Sequence, residues 1–456
     1  MSENISADNL GSSTFKADYN VKRAYASGAM VRGIASKELV IRMAKAGYLS
    51  FFGAGGLDLA TNESNILAIQ KELKNGESWG MNLLSNPYEP DMEMKTVDLY
   101  LRHGVKNIEA SAFITISAPL VKFRLSGLSK DDEGYPLIQN RIIAKISRPE
   151  VAEVFLNPAP QALVTKLLDQ GEITPEQAQL AERVPMADDL CVEADSGGHT
   201  DMGVSTVLLP AIIRMRDEIC RRCEYRTPVR VGAAGGVGTP EAAASAFILG
   251  ADFIVTGSIN QCSVEAGTSD TVKAMLQELN VQDTDYAPAG DMFEIGARVQ
   301  VMKKGVFFPA RANKLHELWR NHKAWEDIDE KTRNQIEKNF FARRFDQVYA
   351  DTREYFLERN PLEIEKAERD PKHKMALVFR WYFAYSMRLA AAGDPAQKVN
   401  YQVHCGKAMG AFNQWVRGTE LESWENRHVE KIADKLMTAT ADLLSQRMQQ
   451  LLRIDT

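Results

Sequence analysis

The chain has 456 residues, 45% of them hydrophobic and 25% charged, with a formal net charge of −6. That length allows two or three domains, and so mild a charge argues against a nucleic-acid binder, which would carry a basic stripe. No run approaches the roughly 18 apolar residues of a membrane span, and the five cysteines are too few for a disulfide framework in a chain this long.

The first stretch, MSENISADNLGSSTFKADYN, is polar and lacks the basic and apolar regions of a signal peptide. It reads as a flexible leader over residues 1–20, and the cytoplasm is the default location. From there to about residue 260, short β-rich runs alternate with helical ones. The strand candidates are VKRAYASG (21–28), YLSFFG (48–53), WGMNLL (79–84), NIEAS (107–111), IIAKIS (142–147), LCVEAD (190–195), VRVGAAG (229–235) and DFIVTG (252–257). Several are apolar on consecutive positions, as parallel strands covered by helices should be. Between them, KELVIRMAKAG stops at Gly47, and TPEAAASAFILGA opens with Thr239 as N-cap and Pro240 at the first helical position.

Strand–helix alternation repeated eight times predicts an α/β fold, a TIM (β/α)₈ barrel over residues 21–310; a doubly wound sheet is the alternative, since periodicity does not register closure. One segment breaks the spacing. A helical insertion after strand 5, about 157–188, is divided by Gly171, Thr174 and Pro175 into two short helices. Following a barrel strand, it is expected at the C-terminal face, either as a lid or entry wall or as padding. Cys220 and Cys223 form a CxxC inside the predicted helix IIRMRDEICRRCEY, without the second pair of a zinc site, and read as plain thiols. After about 310 strand candidates vanish. LHELWRNHKAWEDI, MALVFRWYFAYSMRLAAAG and the stretches around them place Met and aromatic residues at helical spacing, the mark of core. They predict a C-terminal α-helical subdomain over 311–456, in which FFARRF is a solvated face or a partner surface.

Two glycine-rich turns follow the last two predicted strands. In VGAAGGVGTP, Gly235 and Gly236 let backbone N–H groups approach an anion, and the helix starting near Thr239 aims its positive end there. DFIVTGSINQ repeats the arrangement with Gly257 and Ser258. Such turns after strands 7 and 8 match the phosphate site common in TIM barrels, against the plainer reading of tight turns alone. They do not fit the GxGxxG register of a dinucleotide fold. EADSGGHTD follows strand 6, and His199 beyond its two glycines reads either as a proton-transfer group or as a structural histidine bonded to Asp195 or Asp201. Asn82, Lys145 and Glu109 sit at strand ends, where each is a ligand contact or a satisfied structural group; for Glu109 the structural reading is favoured. There is no zinc-ligand spacing, no GxSxG elbow and no P-loop, so no metal is expected.

ASGAMVRGIAS, FFGAGGL, WGMNLL, CVEADSGGHTD, VGAAGGVGTPEAAASAFILGADFIVTGSINQ, FEIGARVQVMKKGVFFPARANKLHELWR and CGKAMGAFNQWVRG occur in order from about residue 21 onward. Together they resemble the PfaD family, trans-acting enoyl reductases of polyketide and polyunsaturated fatty acid synthases within the nitronate monooxygenase-like flavoproteins. The resemblance implies a barrel that binds FMN and is reduced by NADPH. It puts Gly28, Ala29 and Met30 beneath the isoalloxazine, Asn82 and Lys145 against the ring or ribityl chain, and Gly197, Gly235, Gly236, Thr256, Gly257 and Ser258 around the phosphate. His199 matches the active-site histidine, with a backbone N–H beside Gly198 able to polarise the thioester. One departure stands out: MGVST follows ADSGGHTD, where members of the family carry NRP.

The implied partners are an acyl carrier protein bearing an enoyl thioester and the synthase modules, with a homo-oligomer allowed and neither nucleic acid nor membrane span expected. Two rivals remain at this point. Nitronate oxidation on the same barrel would use His199 as base and oxygen as acceptor, and a non-catalytic docking protein of the synthase would keep only the fold.

Overall fold

A computed structural model describes residues 5–86 and 90–452. All eight predicted strands are present: β1 (Tyr25–Ser27), β2 (Leu49–Phe52), β3 (Gly80–Leu84), β4 (Asn107–Ser111), β5 (Arg141–Ile146), β6 (Asp189–Glu193), β7 (Arg230–Ala234) and β8 (Ile254–Thr256). They are parallel, and β1 pairs with both β2 and β8, so the sheet closes and the doubly wound alternative falls. Period-two alternation turns Leu49, Phe51, Ile143, Cys191 and Val255 into one apolar belt inside the barrel. The same parity puts Arg141, Asp189 and Arg230 at the strand starts, and Lys145 and Glu193 at the strand ends.

The expected flexible leader is corrected by the structure; residues 1–4 lie outside the described residues. Ser12 caps a helix at Ser13–Asp18, and Phe15, fully buried, stacks on Phe253 with ring centroids 4.4 Å apart. The Tyr19 hydroxyl donates to Asp189 at 2.7 Å, while Arg230 donates to the same carboxylate at 2.5 and 3.0 Å and to Asp18 at 2.6 Å. This segment therefore plugs the N-terminal end of the barrel, where TIM barrels place stability rather than catalysis. Tyr19→Phe should leave buried Asp189 short of a donor and cost about 1–3 kcal/mol in urea unfolding; an unchanged midpoint would show that the plug does not hold.

The insertion forms the two helices expected, Gln161–Asp169 and Pro175–Leu180, the second opened by a Thr174–Gln177 capping box. Its placement is corrected. The helix Pro149–Leu156 comes first, so the insertion connects a helix to the start of β6 and belongs to the N-terminal end. There Arg124 donates to the Pro185 carbonyl at 2.9 Å and pairs with Asp188 at 2.6 Å. It is no lid.

The chain divides into two compact units: residues 1–195, 202–267 and 414–456, and residues 196–201 and 268–413. The expected boundary at 310 differs from this division. The long helix Val429–Leu452 belongs with the barrel, packed between the helix after β7 (Pro240–Ile248) and the helix after β1 (Lys37–Lys45). Its Asp434 meets Lys22 and Arg23, and its Glu430 meets Arg42 at 2.6 Å. It is the barrel's eighth helix, separated from β8 by the second unit in sequence. Periodicity showed a helix here but not what it covers.

The second unit holds the strands β9 (Thr284–Pro288) and β10 (Arg298–Met302), antiparallel to each other and joined by the short strand Gly198–His199. Helices from Phe308 onward bury Trp325, Phe345, Met375, Phe379 and Tyr382 in its core, as the helical spacing of those residues predicted. All five cysteines, Cys220 and Cys223 among them, are free thiols. Among the described residues, no helix is long and apolar enough to cross a membrane.

Candidate active site

The C-terminal ends of β7, β8 and β1 lie side by side, because Ala233 pairs with Ile254 and Ser27 with Thr256. The two glycine turns are thus neighbours. Gly235 has φ +80°, and a Cβ there would come within 2.7 Å of the Ala194 backbone, so no other residue fits without a shift. Gly236 also has positive φ, but a Cβ on it, or on Gly257, would meet nothing within 4 Å. Among the described residues, the N–H groups of Gly236, Val237 and Gly238 have no backbone acceptor. They precede the helix Pro240–Ile248, whose N-cap Thr239 accepts from Ala242 N–H as expected. Open space, unclaimed donors and a helix N-terminus suit a phosphate.

The second turn is held by a residue that the sequence reading left out. Asn260, fully buried in the short helix Ser258–Cys262, donates to Ser27 Oγ at 2.9 Å and to Thr256 O and Oγ1 at 3.1 and 2.9 Å. Its Oδ1 is buried without a partner. The β1 turn carries Gly28, Ala29 and Met30. Gly28 N–H donates to Thr256 O, and Met30 O sits where a Cβ on Gly53 would be, which explains the glycine in FFGAGG.

A polar row crosses β3 to β6. Asn82 donates to Glu109 O and Ser111 Oγ, both at 3.0 Å, and Lys145 pairs with Glu193 at 3.0 Å. Burial pulls the Lys145 ammonium down, but Glu193 and Glu109 outweigh it and hold the group charged. Glu109 is fully buried; its Oε2 accepts Ala29 N–H at 2.9 Å and its Oε1 has no partner. Burial pushes its carboxyl up to about 7, with Glu193 adding to the effect and Lys145 and the Ala29 N–H opposing it. Reading Glu109 as a satisfied structural acid is therefore corrected: one oxygen is unsatisfied.

Gly197, Gly198 and His199 belong to the second unit. Gly198 has φ +83°, and His199 continues the short strand paired with Val299 on β10. The His199 ring Nε2 lies 2.9 Å from Asp291 Oδ1, a carboxylate distant in sequence that the reading of the chain did not consider. Partial desolvation would raise the largely exposed Asp291 carboxyl, but the His199 hydrogen bond and charge, with His404, hold it low. His404 approaches the Gly198 position within 3.5 Å and contacts Gln402 at 2.8 Å. It too escaped the sequence reading. Among the described residues, no His, Cys, Asp and Glu cluster suits a metal.

Comparison with known proteins follows the same lines. Residues 322–401 match the family "[Acyl-carrier-protein] S-malonyltransferase, inserted helical domain". The polyketide biosynthesis protein PksE of Bacillus subtilis is 56% identical over 445 residues, covering 98% of this chain and 58% of that protein. One component of the polyunsaturated fatty acid synthase of Thraustochytrium sp. is 46% identical over 417 residues, 91% of this chain and 28% of that component. The chain thus spans little more than half of one curated relative and under a third of the other. The crystal structure of the enoyl reductase domain of MlnA, from the macrolactin cluster of Bacillus amyloliquefaciens, superposes with a TM-score of 0.94 at 48% identity, covering 97% of this chain and 99% of that one. With a relative this similar matched over nearly its whole length, the chain belongs to the PfaD-like family of trans-acting enoyl reductases of polyketide and polyunsaturated fatty acid synthases.

Proposed function

We propose that this chain is an FMN-dependent enoyl reductase that uses NADPH to saturate the α,β-double bond of enoyl thioesters carried on an acyl carrier protein, within a polyketide or polyunsaturated fatty acid synthase. The observation that carries this reading is the end-to-end likeness to the MlnA enoyl reductase domain. The setting is the cytoplasm, and synthase modules are the partners. FMN fits the residues present: the open glycine turns with their unclaimed N–H groups suit its phosphate, and the partnerless Glu109 Oε1 and Asn260 Oδ1 suit a polar ring system.

Gly235, Gly236, Thr256, Gly257 and Ser258, with Gly197, would hold the phosphate end, and Gly28, Ala29, Met30, Asn82 and Lys145 the ring. Held there, FMN would supply the hydride chemistry for the β-carbon of the enoyl thioester, with NADPH as the source of electrons. The chain's own task is then to polarise the thioester oxygen and deliver a proton to the α-carbon. A backbone N–H beside Gly198 serves the first and His199 the second, with Asp291 orienting the imidazole through its 2.9 Å contact. Asp291→Asn should therefore lower turnover less than loss of His199 itself and move the pH profile, because the orienting charge is gone. A profile identical to wild type would remove Asp291 from the mechanism.

The deciding assay is anaerobic NADPH oxidation with a carrier-bound 2-enoyl thioester, the product identified by a mass gain of two hydrogens. Turnover of a nitroalkane with oxygen, and none of the enoyl thioester, would favour the oxidase reading. A colourless protein that takes up no FMN would favour the non-catalytic docking role.

A further inference from the structure

Glu109 poses a chemical question that enoyl reduction does not answer. It projects from β4 at the barrel mouth, fully buried, and touches the β1 turn through the Ala29 N–H. A Cβ on Gly28 would lie 2.9 Å from Val255 Cγ1 and 3.2 Å from Glu109 Oε1, so the bare glycine leaves room for both side chains. The groups facing it are few. Lys145 on β5 and Glu193 on β6 form an ion pair beside it, and buried Cys191 lies on β6 below them. Asn82 on β3 meets only its backbone carbonyl, and the β1 turn offers backbone alone. One cation is thus shared between two carboxyls, and one carboxylate oxygen remains partnerless.

We propose that Glu109 is the proton-linked positioning residue of the FMN pocket: it holds the Gly28–Ala29 turn and takes up a proton from solvent when an aromatic ring closes the barrel mouth. This rests on the flavin reading above. A ring over the mouth replaces the polarisable solvent above the carboxyl, and this further desolvation favours the neutral acid. Above a pH of about 7, where the free carboxyl ionises, binding must return a proton to Oε1.

The sign follows. The free-state value is the lower of the two, so FMN affinity is level below about 7 and falls as pH rises, by up to about tenfold per pH unit, until the bound-state value is passed. The FMN phosphate titrates near 6 and is common to all variants. The test is calorimetric titration of the apoprotein with FMN between pH 6.5 and about 9, in buffers of different ionisation enthalpy, for wild type, Glu109→Gln and Glu193→Gln. Wild type should take up protons in the upper part of this range, Glu109→Gln should not, and Glu193→Gln should begin to do so at lower pH, since Lys145 then serves Glu109 alone. If Glu109→Gln fails to fold, infrared titration of the wild-type apoprotein decides instead: a protonated-carboxyl band lost near neutral pH, and retained there once FMN is bound, supports the proposal, and its absence overturns it. FMN binding with the same pH dependence in wild type and Glu109→Gln overturns this inference alone. A chain that takes up no FMN overturns the flavin reading as well.

Discussion

Replacing His199 by alanine is expected to leave a folded, yellow protein whose enoyl reduction is slower by roughly 10²-fold or more, the scale of a lost general acid. Stability should barely change, because the imidazole is about half exposed, with 48% of its surface accessible, and its pairing with Asp291 is a surface contact. Reduction of FMN by NADPH should survive, since it needs no proton at the substrate α-carbon. Stopped-flow traces of the two half-reactions separate these steps. Enoyl turnover at the wild-type rate would sink the role of His199, and slow flavin reduction would place it on the nicotinamide side instead.

The two adjacent glycines should answer substitution differently. Gly235→Ala has to adopt a left-handed conformation and to press a Cβ against the Ala194 backbone, at 2.7 Å. The conformation alone costs about 1–2 kcal/mol, and the close contact adds to it, so thermal unfolding should shift clearly and FMN retention should drop. Gly236→Ala bears the same conformational cost, but its Cβ enters open space. That variant should lose only this conformational part of its stability, less than Gly235→Ala, while FMN affinity falls by about tenfold or more for a blocked phosphate. Equal effects in both would mean that the turns are structural and the phosphate lies elsewhere.

Much of the barrel could be read from the chain because parallel strands under helices leave short, consecutive apolar runs, and all eight fell where expected. The glycine turns were legible for the same reason: a strand, two glycines, and Thr-Pro-Glu opening a helix are local signals. What escaped was long-range. The polar composition of residues 1–20 concealed that Phe15, stacking on Phe253, and Tyr19, bonded to Asp189, dock a short helix. Asp291 lies far from His199 along the chain, and only the pairing of β10 with Gly198–His199 places them in one unit. Glu109 was in view, but as a structural group; that Asn82, Glu109, Lys145 and Glu193 lie on four consecutive strands was the signal for a shared polar row. The insertion was misplaced because its position was counted from β5 and not from the helix after it.

The return of Val429–Leu452 to complete the helical ring bears on how the molecule is made. During synthesis β8 leaves the ribosome well before the helix that covers it, and all of residues 268–413 emerge in between. The sheet must therefore wait with an uncovered flank, and its last closing contacts join segments far apart in sequence, which slows folding. Nascent chains halted before residue 429 should be held by chaperones and cut readily by protease along the helices Lys37–Lys45 and Pro240–Ile248, and become resistant only once the final helix is released.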